Sequence, residues 1–99
     1  MYGLISKIIS QPGQRDNLAI ILIVGAQEMP GCLSYVVAND LLEPDSIWIT
    51  EIWDDLASHK ASLSLPTVQE AIGRGRPLIA GFGERIETSP VGSHGVDIN

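Results

Sequence analysis

The side chains best equipped for chemistry lie in one stretch, Ile47 to His59, which reads I-W-I-T-E-I-W-D-D-L-A-S-H. An imidazole with an ordinary pKa of about 6.5 exchanges protons at neutral pH, so His59 is the candidate general base toward a phenolic or enolic substrate. Glu51 stands among apolar neighbours, where a carboxylate needs a partner. Its best functional role is to orient His59. Trp53 shares the strand face of Glu51 and could form a flat wall for an aromatic ligand. Tyr35 could bring a hydroxyl to the same pocket, and Leu56, on the helix face of His59, would complete its wall. Each of these has a structural alternative. His59 could be a core histidine hydrogen-bonded to Glu51, Thr50 or a backbone carbonyl, Glu51 half of a buried salt bridge, and the aromatic residues plain core.

The other reactive groups lack a context. Gly73-Arg74-Gly75-Arg76 has neither phosphate-loop spacing nor G-x-G-x-x-G, and it follows a helix instead of opening one, so it reads as a linker with solvated charges. Ser34, Ser58 and Ser62 have no nucleophile-elbow surroundings. Cys32 opens a strand and is expected to pack as a small hydrophobe. His94 lies in a Gly-Ser-His-Gly tail, far from His59 in sequence, so the two histidines suggest no metal set and no metal is expected.

These groups depend on the elements that carry them. Ile47 to Trp53 reads as a strand with Ile47, Ile49, Glu51 and Trp53 on one face and Trp48, Thr50 and Ile52 on the other. Both faces are largely apolar, so both need cover. Asp54 or Asp55 suits the N-cap of the next helix, on which Leu56, His59, Lys60 and Leu63 share a face. Pro66 interrupts, a short helix runs on to Ile72, and Gly73 to Pro77 ends it. Earlier in the chain, Tyr2 to Ser10 is a strand with Tyr2, Leu4 and Ile8 opposite Ile5 and Ile9, stopped by Pro12-Gly13. Residues 15–27 contain a β-branched run. Leu18, Ile21, Leu22 and Gly25 nonetheless fall at helical spacing, and Asp16 suits a first turn, which predicts a helix. Turns at Met29-Pro30-Gly31 and Glu43-Pro44-Asp45 bound a strand from Cys32 to Asn39. Leu78 to Thr88 is the last strand, its Gly81 and Gly83 marking a bulge or a close backbone approach. One domain is expected at residues 1–89 and a flexible, Gly-rich tail at 90–99.

The order β-α-β-β-α-β is that of an α+β, ferredoxin-like fold with a four-stranded antiparallel sheet. Right-handed crossovers place both helices on one side of the sheet. The other side would expose an apolar patch too large for a monomer, so a two-fold homodimer joined sheet to sheet is expected.

Composition narrows the classes. With 99 residues, 44% of them apolar, the chain suffices for one core. No apolar run approaches the ~18 residues of a membrane span, so no membrane partner is expected. Lys7 interrupts the first apolar stretch and no processing site follows, which argues against a signal peptide. A single cysteine fits a reducing, cytoplasmic setting. The net charge of −6 argues against nucleic acid as a partner.

Several of these residues also occur in a familiar order. Pro12-Gly13-Gln14-Arg15-Asp16-Asn17-Leu18 opens the first helix and Pro30-Gly31-Cys32-Leu33-Ser34-Tyr35 opens the second strand. Glu51-Ile52-Trp53-Asp54 and His59 follow. In this the chain resembles the antibiotic biosynthesis monooxygenase family, which includes quinol monooxygenases, over about residues 2 to 86. The resemblance implies a dimeric α/β barrel that oxidises a small aromatic substrate with O2 and without metal, flavin or haem. By position, His59 would be the base, Trp53 the wall and Glu51 the polar orienter. Relatives that degrade haem use an asparagine on the first strand, and Tyr2 to Ser10 contains none. Three functions are therefore expected in turn: a cofactor-independent monooxygenase of a quinol or polyphenol, an isomerase of a small hydroxyketone, or a non-catalytic dimeric binding module. A cavity of ~300 Å³ or more beside His59 and Trp53 would favour the first two, and a solid core the third.

Overall fold

The computed structural model describes residues 1–96, and the chain forms β1 (Tyr2–Ser10), α1 (Arg15–Gly25), β2 (Cys32–Asn39) and β3 (Ser46–Trp53). There follow α2 (Leu56–Ser62), α3 (Pro66–Gly75), a 3-10 turn (Arg76–Leu78) and β4 (Ile79–Thr88). The strands form one antiparallel sheet in the order β2-β3-β1-β4, a ferredoxin-like α+β fold. Of the tail expected at residues 90–99, residues 90–96 carry no helix or strand, and 97–99 lie outside the described residues.

Alternation along the central strands decides what is buried. Ile47, Ile49, Glu51 and Trp53 of β3 and Tyr2, Leu4 and Ile8 of β1 all turn to the helix-covered side and are buried. Their pairing, Tyr2 with Trp53, Leu4 with Glu51 and Ile8 with Ile47, places one strand's buried residues beside the other's. Two apolar clusters result. One joins Ile8, Ile47 and Ile49 to Leu18 of α1, and the other joins Tyr2, Leu4 and Trp53. On the far side, Val36 and Ile86 are half exposed and Ile5, Ile9 and Ile52 only partly covered within one chain. Trp48 also lies there; its indole N–H donates to Asp40 Oδ2 at 2.7 Å, and the Lys7 ammonium sits 5.5 Å from the ring centre.

The helix from Arg15 forms as the spacing predicts, with Leu18 and Gly25 buried, although it stops at Gly25, two residues short of Gln27. The larger difference is in α3. It does not end at Ile72 but continues through Gly73 and Arg74 to Gly75, and the expected linker residue Arg76 opens a 3-10 turn. Packing explains this. A Cβ on Gly25 would stand 2.5 Å from the Ala71 Cβ, and one on Gly75 would stand 3.3 Å from Leu18 Cδ1. Small residues let α1 and α3 approach closely, and that contact outweighs the cost of about 1 kcal/mol for a helical glycine. One register shift in the β1–β4 pairing spans Gly83 and Glu84, and the other falls just before Gly81, which itself pairs with Ile9.

Candidate active site

The junction between β3 and α2 sets the site. Gly31, with φ at +81°, turns the chain so that its carbonyl accepts from the Asp54 N–H at 2.9 Å, tying the start of β2 to the end of β3. Asp55 then caps α2, its carboxylate accepting from the Ser58 N–H at 2.7 Å. One turn later His59 points back over the sheet, its side chain only 12% exposed.

There it meets the residues singled out in β3. The His59 ring centre lies 5.4 Å from that of Trp53, edge-on, and 5.4 Å from that of Tyr2, tilted by 40°. Its Nε2 is 4.0 Å from Glu51 Oε1, beyond hydrogen-bond reach. The other ring nitrogen, Nδ1, is buried without a partner among the described residues. Glu51 is held instead by Trp53, whose indole N–H donates to Oε1 at 3.0 Å. Tyr35 pairs with Glu51 across the β2–β3 ladder and so faces the same way.

The electrostatics follow from burial. Desolvation, helped by the Arg85 cation, lowers the His59 pKa below its ordinary value against the opposing pull of Glu87, so the neutral imidazole is favoured. Burial raises the pKa of Glu51, while the Trp53 hydrogen bond and Arg85 pull it down. Burial also raises that of Tyr35, with Glu51 adding to it, so its hydroxyl stays protonated.

A cavity of about 590 Å³ opens at this point, bordered by Tyr35, Glu51, Trp53 and His59 together with apolar residues of α1, α3 and β4. A space of that size is an ordinary small-molecule site and not a solid core. It is not sealed: Leu63 is half exposed and Phe82 is 73% exposed at its border. Two expectations about the wall need correction. Leu56 is 40% exposed and lies outside the cavity lining, because α2 turns His59 inward and Leu56 toward its own outer edge. Trp53 has no exposed surface at all, so it backs the wall and fastens Glu51 instead of offering a bare ring face.

Sequence reasoning passed over four contributors. Tyr2 stacks near His59 while its hydroxyl donates to Glu87 Oε2 at 2.9 Å, and Arg85 stands 3.7 Å from Glu87. Arg76 also borders the cavity. Face alternation places Tyr2 inward, but only the β1–β4 register brings Glu87 beside it. Among the described residues no group of three or more His, Cys, Asp or Glu side chains is placed to hold a metal ion. No helix among them is long and apolar enough to cross a membrane.

A family model for antibiotic biosynthesis monooxygenases matches residues 1–74. The chain is similar to the crystal structure of a candidate antibiotic biosynthesis monooxygenase from Chloroflexus aurantiacus. The identity is 64% and the TM-score 0.95, with 97% of this chain and 98% of that one covered. A second such protein, from Deinococcus radiodurans, is 26% identical with a TM-score of 0.77, over 98% of this chain and 99% of its own. A third, from Caulobacter crescentus, is 18% identical with a TM-score of 0.82, over 92% and 90%, and bears on the fold alone. No curated protein matches the chain. The chain belongs to the antibiotic biosynthesis monooxygenase family.

Proposed function

We propose that the protein is a cofactor-independent monooxygenase that oxidises a small aromatic quinol or polyphenol with O2, using His59 as the base and Glu51, which does not hydrogen-bond His59, as the polar group that orients the substrate. The observation that carries this is the state of His59. A histidine kept for structure commits its ring nitrogens to hydrogen bonds, yet among the described residues neither nitrogen has one and the ring borders a large cavity. An imidazole with an uncommitted lone pair, kept neutral by burial, is poised to accept a phenolic proton.

In this reading the quinolate then delivers electrons to O2. One oxygen atom bonds to a ring carbon, the other leaves as water, and the quinol supplies all four electrons as it becomes a hydroxyquinone. The protein's part is to deprotonate, to orient and to limit water. Glu51, anchored by Trp53, would receive a substrate hydroxyl between itself and His59, and Tyr35 would donate to a substrate oxygen.

Oxygen uptake with a dihydroxynaphthalene tests the proposal: one O2 should be consumed per quinol. Conversion of a hydroxyketone without O2, accompanied by solvent-deuterium exchange, would point to an isomerase using the same base. A ligand bound with no chemistry would leave only a binding module.

The family is typically dimeric, and the open sheet face gives this chain a reason to be. Covering Ile5, Ile9, Val36, Ile52 and Ile86 with a second copy removes apolar surface from water at roughly 25 cal/mol per Å². At micromolar concentration, sedimentation should give a mass of twice 10.6 kDa. A stable species at the single-chain mass would contradict the sheet-to-sheet dimer.

A further inference from the structure

We propose that Tyr2 is the positioning residue of the base: its ring, pinned by Glu87 of the last strand, holds the His59 imidazole at the angle from which it takes the substrate proton. This rests on the reading of His59 as the base and names what aims it.

Something other than a hydrogen bond must set that angle. The last side-chain torsion of a histidine is a broad, two-fold one, so the ring swings or flips unless its nitrogens or its faces are held. Nδ1 has no partner among the described residues, and Nε2 stands 4.0 Å from Glu51 Oε1. Only packing is left. Trp53 meets the imidazole edge-on with the planes 72° apart, and Tyr2 meets it tilted by 40°, both with ring centres 5.4 Å away. Aromatic rings attract one another at such separations and angles. Tyr2 and Trp53 are also direct partners in the β1–β3 ladder, so the two rings form one rigid seat beneath His59.

Each half of that seat is fastened by a carboxylate. The Trp53 indole N–H donates to Glu51 Oε1 at 3.0 Å, and the Tyr2 hydroxyl donates to Glu87 Oε2 at 2.9 Å. Burial, and after it the Glu87 carboxylate, raises the Tyr2 pKa, so the hydroxyl stays protonated and remains a donor. Glu87 lies opposite Leu4, one diagonal step from Tyr2, and Arg85 stands 3.7 Å from its other oxygen. Tyr2 is 8% exposed and does not border the cavity, so it reaches the substrate only through His59. A phenylalanine would fill the same core. The hydroxyl adds a tie to β4, and that tie couples the register of the last strand to the angle of the base.

Nuclear magnetic resonance of a His94→Gln background, in which His59 is the one histidine, reads the ring directly. Tyr2→Phe and Glu87→Ala both cut the tie and leave an aromatic ring at position 2. In each, the resonances of the neutral His59 ring should move and broaden as its angle to Trp53 is averaged. With a dihydroxynaphthalene, kcat should fall roughly tenfold at unchanged KM, because the angle matters to proton transfer and not to occupancy of the cavity. Glu87→Gln still offers Tyr2 an oxygen, so it should recover most of the rate and the sharp resonances. Charge is read apart from position. The titratable groups around the ring are Tyr2 on β1, Tyr35 on β2, Glu51 on β3 and Arg85 and Glu87 on β4, with Arg76 on the cavity border. Removing the Glu87 carboxylate should lower the His59 midpoint in Glu87→Gln and Glu87→Ala alike, whereas the loss on the neutral plateau belongs to Glu87→Ala. Unmoved, sharp His59 resonances in Tyr2→Phe, or a Glu87→Gln protein as impaired on the plateau as Glu87→Ala, would overturn the proposal. The resonances need no turnover, and oxygen uptake by the unaltered protein reads the oxidation chemistry separately, so either idea can fail alone.

Discussion

Turnover of a dihydroxynaphthalene by His59→Ala should fall by roughly 10²–10⁴-fold, the range expected when a positioned general base is lost. The ring it removes has no hydrogen-bonded partner on either nitrogen among the described residues, so the loss is mainly catalytic. Some stability goes too, because Tyr2 and Trp53 both pack against the imidazole. His59→Gln separates the two effects. It keeps side-chain length and polarity but cannot accept a proton near neutral pH, so it should retain the fold and still lose the rate. A His59→Gln protein that unfolds more easily yet turns over substrate at the original rate would remove His59 from the mechanism.

Trp53→Ala should have the largest effect on stability, a loss of about 3–5 kcal/mol, the cost of truncating a large buried aromatic residue. Trp53 has no exposed surface and centres the cluster with Tyr2 and Leu4. Its removal also takes the indole N–H from Glu51, leaving a buried carboxylate without its donor. For a domain of this size the midpoint of thermal unfolding should fall by more than about 12 °C. Trp53→Phe keeps much of the packing and removes only the donor. It should cost less stability, raise the Glu51 pKa further and weaken substrate orientation. A Trp53→Ala midpoint within a few degrees of the parent would show that the ring is not the keystone of the second cluster.

Much of this was legible because it depends on local period. Alternation along Ile47 to Trp53 placed Glu51 and Trp53 together on the covered face, and helical spacing placed His59 above them. The β-branched run of α1 was resolved by Leu18 and Gly25 falling on one stripe. What escaped depends on contacts between distant segments. Glycine's local preference argued for ending a helix at Gly73, but Gly75 is needed where α3 crosses Leu18. The bond from Tyr2 to Glu87 spans 85 residues and appears only once β4 is in register. That Trp53 is wholly covered, and that Leu56 faces away, depends on how three helices sit on the sheet.

The claim on which the rest depends is that a buried, neutral His59 takes the substrate proton, and the pH dependence of kcat/KM tests it most directly. Burial disfavours the imidazolium, so the base form persists into mild acid, and the same shift makes His59 contribute stability above about pH 6.5 that is lost as pH falls. The unaltered protein should show a plateau at neutral pH and an acid limb with a midpoint below about 6.5. Because burial also raises the Glu51 pKa, the limb must be read against His59→Gln, whose residual rate should lack it. A profile with no acid limb in the unaltered protein, or the same limb persisting in His59→Gln, would contradict the account.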